Sequence, residues 1–78
     1  MRVLLFAGLA EVAGQRELTL GEEDPPRTAG ELEARLREQW PVLAARPFRI
    51  AVNQRYAAAE DAVGADDELA LIPPVSGG

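Results

Sequence analysis

The sequence of 78 residues contains no cysteine and no histidine, and all eight of its basic residues are arginine. Without cysteine and histidine there can be no thiolate or imidazole zinc site, no thiol nucleophile and no Ser-His-Asp triad. Without lysine there can be no side-chain Schiff base and no G-x-x-x-x-G-K-[ST] phosphate loop. Carboxylates, hydroxyls, guanidinium groups and the chain termini remain, so neither a metal site nor a self-contained enzyme is expected.

The same absences bear on compartment and partners. No disulfide framework is possible, and small secreted domains often depend on one, so the cytoplasm is the expected location. The net charge of −5 disfavours nucleic acid and anionic membranes as partners. No apolar run approaches the ~20 residues of a membrane span. The run Val3–Ala10 after Arg2 could open a minimal leader peptide, but Gly8 interrupts it and Glu11 follows, which favours a first β-strand.

The composition, 47% hydrophobic and 27% charged, is typical of one small globular domain. We expect this domain to span residues 1–72 and a flexible C-terminal tail to span residues 73–78. A core of this size leaves little room for an enclosed pocket. Function is therefore expected on the surface or at a terminus.

Alternating apolar residues predict several short strands. The expected strands are residues 3–7, 16–20, 48–53 and 68–72, with a brief return at 55–57. A tight turn at Asn53-Gln54 would precede that return. Residues 8–14 are expected to form a loop or a single helical turn.

The clearest helix signal begins at Thr28, which forms a capping box with Glu31, and the helix is expected to end before Pro41. Its buried face is expected to consist of Leu32, Leu36 and Trp40. Its expected surface ion pairs are Glu31–Arg35 and Glu33–Arg37. One helix packed on one face of a small mixed sheet, in the order ββ-helix-ββ, predicts an α+β fold, the ubiquitin-like β-grasp.

Two clusters of acids are the only conventional catalytic groups, and both fall in predicted turns, where carboxylates usually face water. These clusters are Glu22, Glu23 and Asp24, and Asp66, Asp67 and Glu68. The C-terminal sequence Pro73-Pro74-Val75-Ser76-Gly77-Gly78 is more informative. Two prolines favour an extended exit, and two glycines without Cβ atoms leave the terminal carboxylate unhindered. Such a carboxylate could be activated as an acyl adenylate and attacked by a sulfur donor, which would give a thiocarboxylate.

Over essentially its whole length the sequence resembles the small subunit of molybdopterin synthase, a sulfur-carrier family of molybdenum cofactor biosynthesis. The segments that carry the resemblance are residues 3–11 with Gly14, Thr28-Ala29-Gly30-Glu31-Leu32, Ala51-Val52-Asn53-Gln54 and, most specifically, residues 67–78. The sequence departs from the family pattern at Ala10 and Asp66, both in predicted loops, which affects partner contacts more than fold.

The resemblance implies that an ATP-dependent activating enzyme adenylates Gly78 and that a sulfur donor converts it to a thiocarboxylate. The tail, through Pro73, Pro74, Val75, Ser76 and Gly77, would then reach into the large synthase subunit and deliver sulfur to a pterin precursor, in a two-plus-two assembly. The chain itself would bind no cofactor. Leu9 and Ile72, together with Val75, are expected to dock partners. Sulfur carriers of thiamine, cysteine or tRNA thiolation pathways, a ubiquitin-like protein modifier and a plain binding module remain as alternatives.

Overall fold

A five-stranded mixed sheet is the framework of the protein in the computed structural model, which describes residues 1–74. The strands are β1 (Arg2–Leu5), β2 (Glu17–Thr19), β3 (Arg49–Val52), β4 (Arg55–Tyr56) and β5 (Leu69–Ile72). The helices are α1 (Ala7–Ala13), α2 (Ala29–Gln39) and a 3₁₀ helix (Pro41–Leu43). Within residues 1–74, no helix is both long and apolar enough to span a membrane.

The strand order is β2-β1-β5-β3-β4, with β1 and β5 parallel and the other neighbours antiparallel. The predicted mixed sheet is therefore confirmed, and the last strand lies at its centre. Leu69, Ala70 and Leu71 are all buried, as expected of a strand that has neighbours on both edges and is covered on its core side. The predicted hairpin turn is also confirmed, because Asn53 and Gln54 both adopt positive φ, at 52° and 69°.

The core lies on one face of the sheet, where the strands alternate between core and opposite face. The sheet contributes Val3, Leu5, Leu18, Ile50, Leu69 and Leu71 to the core. The helices cover them with Leu9, Leu32, Leu36 and Leu43. Each fully buried leucine contributes about 1.5–3 kcal/mol to folding relative to an exposed one. The main helix therefore packs on one face of the sheet, as predicted.

Helix α1 is the main departure from the predicted secondary structure, because residues 8–14 were expected to form a loop or one turn. Gly8, near its start, obscures the helical pattern in the sequence. In the structure Leu9 anchors the helix in the core. Gly14 ends it with φ 74°, and its N–H donates to the Ala10 carbonyl over 3.0 Å. Strand β1 is correspondingly shorter than predicted, because Ala7 has φ 51° and leaves the strand.

One of the two hydrogen bonds of the predicted capping box at the start of α2 is confirmed, and the other has a different donor. Thr28 Oγ1 accepts a hydrogen bond from the Glu31 N–H over 3.2 Å, as a capping box requires. The Glu31 carboxylate, however, accepts from the N–H of Arg27 over 3.2 Å. The predicted Glu31–Arg35 ion pair does not form among the described residues, and Arg35 donates to the Asp24 carbonyl over 3.0 Å instead.

The second predicted ion pair, Glu33–Arg37, is present at 3.1 Å. Arg37 also makes structural contacts beyond the helix surface. Its guanidinium donates to the carbonyls of Leu43 and Arg46 over 2.7 and 2.9 Å. It also lies 4.1 Å from the ring centroid of Phe48. One side chain thus holds the connection between α2 and β3. Trp40, predicted on the buried helix face, is the residue after α2 and packs only partly against the core.

Gly30 in α2 provides a test of this packing. An alanine Cβ at this position would lie 3.1 Å from the Ala59 carbonyl oxygen, and Gly30 N–H donates to that same oxygen over 2.9 Å. Overpacking of this kind costs ~1–3 kcal/mol. The oxygen cannot move away without lengthening its hydrogen bond to the Gly30 N–H, so we expect this cost to outweigh the gain of up to ~1 kcal/mol from replacing glycine by alanine in a helix. We expect Gly30→Ala to lower the free energy of unfolding, measured by urea denaturation.

Gly8→Ala in α1 is the matched control. Nothing lies within 4 Å of the added Cβ at Gly8. Here the helix propensity term acts alone, so the free energy of unfolding should stay constant or rise by up to ~1 kcal/mol. Equal stabilisation by both substitutions would contradict the close packing of α2 on residue 59.

Candidate functional site: the open sheet face and the tail exit

The described part of the chain ends just after the central strand, and we call the end of that strand, where the predicted tail begins, the tail exit. Strand β5 ends at Ile72, which is half-buried, followed by Pro73 and an exposed Pro74. The predicted tail residues Val75, Ser76, Gly77 and Gly78 lie outside the described residues. The division of the chain into a domain of residues 1–72 and a tail of residues 73–78 stays a prediction. The structure thus fixes the point from which the C-terminal sequence departs.

The sheet face opposite the core carries an apolar concavity beside this exit. We call it the open-face patch. It has a volume of about 320 Å³ and is lined by Phe6, Ala51, Gln54, Tyr56, Glu68, Ala70 and Ile72. Strand register explains why these residues meet. Ala70 pairs with both Leu4 and Ala51, and Ala51 pairs with Tyr56, so these side chains form one row across the sheet.

Small residues form the floor of the patch and aromatic residues form its walls. Ala51 and Ala70 are neighbours across β3 and β5 and are 5% and 6% exposed. Phe6 and Tyr56 stand beside them with 46% and 52% of their surfaces exposed. A partner side chain could therefore settle between two aromatic groups on a floor of methyl groups, the arrangement that anchors many protein interfaces.

Phe6 owes its place to the junction between β1 and α1. Its backbone is extended, with φ −121° and ψ 152°, so it continues the alternation of β1 and faces away from the core. Ala7 then takes φ 51°, a left-handed conformation that is uncommon outside glycine and turns the chain into α1. The Phe6 carbonyl accepts a hydrogen bond from the Leu9 N–H over 3.1 Å and holds the junction closed.

The prediction that Leu9 is an exposed docking residue is wrong. Leu9 is 3% exposed and belongs to the core, because α1 turns it toward the sheet. Ile72, the other docking residue predicted among those described, does line the patch. Phe6 and Tyr56 were missed. The alternation of side chains along the strands could have identified them. Phe6 follows the buried Leu5 and so faces the opposite side of the sheet, and Tyr56 lies opposite Ala51 in the hairpin.

Members of both acidic clusters, Glu22 with Asp66, Asp67 and Glu68, line one open cavity of about 880 Å³. Within residues 1–74, no group of three acidic, histidine or cysteine side chains is placed to hold a metal ion. The Asp67 carboxylate accepts hydrogen bonds from the Gly64 N–H over 2.8 Å and from Asn53 Nδ2 over 2.9 Å. The interpretation of this residue as a turn former is confirmed.

The sequence and the fold were compared with known proteins. Small archaeal modifier protein 1 of Haloferax volcanii is 40% identical in an alignment 84 residues long, gaps included, that covers 95% of this chain and 95% of that protein. The crystal structure of that protein has a TM-score of 0.80, with 37% identity, and the match covers 99% of this chain and 97% of that chain. The molybdopterin synthase sulfur carrier subunit of Dictyostelium discoideum is 32% identical over 81 residues, covering 99% and 94%.

A further likeness concerns the fold alone. A chain in the protein–protein complex of subunits 1 and 2 of molybdopterin-converting factor from Helicobacter pylori has a TM-score of 0.65 at 22% identity, covering 99% of this chain and 96% of that chain. The predicted β-grasp fold and the predicted resemblance to molybdopterin synthase small subunits are both confirmed. The model of the ThiS family matches residues 3–78, and the chain therefore belongs to the ThiS family.

Proposed function

We propose that the protein is a sulfur carrier for molybdopterin biosynthesis. In this proposal Gly78 is adenylated by an ATP-dependent activating enzyme, converted to a thiocarboxylate, and used as the sulfur source inside the large synthase subunit. The observation that carries the proposal is the position of the tail exit. A central strand ends at Ile72 beside the apolar open-face patch, and the sequence then runs Pro73-Pro74 to Gly77-Gly78. Membership of the ThiS family and the Dictyostelium relative support it.

The chemistry needs only the terminal carboxylate of this chain. A carboxylate oxygen of Gly78 would attack the α-phosphorus of ATP, which releases pyrophosphate and leaves an acyl adenylate. A nucleophilic sulfur of a donor protein would then attack the carbonyl carbon, and AMP would leave. With a persulfide as the donor, a thiol would then attack the donor's inner sulfur, which breaks the S–S bond, forms a disulfide with the donor and releases the C-terminal thiocarboxylate. ATP serves the activating enzyme, so this chain needs no cofactor of its own.

The remaining sequence fits that role. Proline has a fixed φ and no N–H, so Pro73 and Pro74 favour an extended departure from the sheet. Two glycines present no Cβ atoms, so they suit a narrow active-site channel of a partner. The absence of lysine and cysteine means that no amine or thiol side chain of the carrier can intercept its own activated end.

The open-face patch is the proposed docking surface for the partners. Binding there would place the tail exit against the partner and make insertion of the tail an intramolecular event, which raises its effective concentration. The activating enzyme and the large subunit would use this face in turn. The carrier contributes position and reach, and the partners contribute the catalytic side chains.

A second function, attachment of Gly78 to amines of other proteins, is favoured by one observation. The chain is 40% identical to small archaeal modifier protein 1. Both functions share the adenylated intermediate and differ in the group that attacks it. Sulfur attack gives a carrier, and amine attack gives an amide-linked conjugate.

Intact mass after incubation with ATP, the activating enzyme of the same organism and a sulfur donor separates the two. We expect a mass gain that corresponds to exchange of one oxygen for sulfur, and we expect deletion of Gly78 to abolish it. The core cluster is built from residues between Met1 and Leu71, so we expect the melting temperature to stay unchanged when Gly78 is removed. Sulfur gain in the deletion variant would contradict the proposal, whereas conjugates without sulfur gain would favour the modifier.

Phe6→Ala tests the docking surface. Truncating an interface anchor typically costs ~2 kcal/mol or more, which corresponds to an increase of Kd by more than about tenfold. We expect that increase for the activating enzyme, measured by isothermal titration calorimetry, with little change in melting temperature because Phe6 lies outside the core. The control is Val42→Ala, since Val42 is 44% exposed but lies in the 3₁₀ helix, away from the patch. Equal effects of the two substitutions would exclude the patch as the docking surface.

A further inference from the structure

Arg49 adjoins the open-face patch at the end nearest the tail, next to two of the lining residues, Ile72 and Tyr56. It pairs with Ile72 in the register of β3 and β5, so the two residues share a row of the sheet. Arg49 alternates with the buried Ile50 and therefore faces the open side. Its guanidinium lies 4.2 Å from the ring centroid of Tyr56, one of the walls of the patch.

The stacking on Tyr56 restrains the guanidinium without using its hydrogen-bond donors. A guanidinium held against an aromatic face keeps its N–H groups at the edge, directed away from the ring. With residues 1–74, the Arg49 side chain makes neither a hydrogen bond nor an ion pair, in contrast to Arg37. An exposed, restrained guanidinium of this kind is suited to a bidentate contact with a carboxylate.

Glu68 supplies a charge of opposite sign to the same patch. It precedes β5 by one residue and lines the concavity. Asn53 fixes its backbone, because Asn53 Oδ1 accepts from the Glu68 N–H over 2.9 Å and the Glu68 carbonyl accepts from the Asn53 N–H over 2.8 Å. Glu68 lies four residues before Ile72, the partner of Arg49 across the sheet. At the rise per residue of a strand, the backbones of Glu68 and Arg49 are therefore about 13 Å apart along the strand direction.

These charges give the patch a direction. An apolar concavity alone could accept a partner in more than one rotation, because hydrophobic contact is not directional. At the end away from the tail, Arg2 stands near Glu68 but pairs with Glu17 over 3.6 Å, so that end keeps a negative balance. Positive charge at the tail end and negative charge at the other end favour one rotation and oppose its reverse, in which like charges would meet. The choice of rotation matters because only one rotation directs the tail exit toward a given site on the partner.

We propose that Arg49 is the specificity-determining residue of this docking face. It pairs with a carboxylate that the partner protein presents beside its apolar anchor at the tail end, while Glu68, whose backbone lies about 13 Å away along the strand, faces a basic side chain of the partner. The occupant is thus a folded protein with an apolar side chain between an acid and a base. This inference rests on the proposed use of the patch for docking and extends it to orientation.

The test measures the Kd of the full-length chain for the activating enzyme of the same organism at low and high salt. We expect Arg49→Glu to raise Kd by about tenfold or more at low salt, with a smaller difference near 1 M salt, where screening is strong. Glu68→Arg should act in the same direction. Arg49→Lys keeps the charge but not the fork geometry, so it should fall between the wild type and Arg49→Glu.

Arg55→Glu is the matched control. It makes the same charge change at an exposed residue directly after the turn, but Arg55 pairs with Val52 and so belongs to the other set of alternating side chains. Kd for this variant should stay within about twofold of the wild type. Melting temperatures of all variants should match, which separates recognition from structural damage. Equal effects of Arg49→Glu and Arg55→Glu, or no effect of either, would overturn the proposal.

The binding experiment distinguishes a failure of this inference from a failure of the proposed function. The activating enzyme acts on carriers and modifiers alike, so an Arg49 effect on its binding can be measured even if no sulfur is transferred. Sulfur transfer together with unchanged binding of Arg49→Glu would leave the proposed function standing and remove the role of Arg49.

Discussion

The pairing of β5 between β1 and β3 is the interaction on which the rest of the structure depends. Val3 pairs with Leu69 and Ile50 with Leu71, so residues from both ends of the domain close the core together. Contacts so distant in sequence cost loop-closure entropy, which the burial of the core has to offset. The same strand ends at the tail exit, so the tail begins directly after the strand that closes the core.

Side-chain hydrogen bonds at both ends of the sheet support this arrangement. Asn53, at positive φ in the β3–β4 turn, bonds to Glu68 and Asp67 and so ties the hairpin to the start of β5. Arg37 plays the corresponding part on the helical side, where it bonds to the chain between α2 and β3. Hydrogen bonds from Asn53 and Arg37, neither of which lines the patch, therefore fix the two ends of β3, the strand that carries Ala51.

Much of the fold could be predicted from the sequence because strand alternation is a local signal. The turn at Asn53-Gln54 and the start of α2 at Thr28 are local signals as well. Helix α1 could not be predicted, since its stability comes from the burial of Leu9 and not from the propensity of a short segment with Gly8 near its start. The same tertiary contact explains why Leu9 was misplaced on the surface. Predicting the patch requires the register between three strands, and no single stretch of sequence contains that information.

Alternate residues of the same strands serve two separate purposes. Ile50 and Leu71 belong to the core, whereas Ala51 and Ala70 form the floor of the open face and make no part of the core cluster. Divergence between related proteins can therefore alter one set while it preserves the other. A lineage could fill or deepen the concavity through these two alanines and change its range of partners, while the inward-facing leucines continue to maintain the fold.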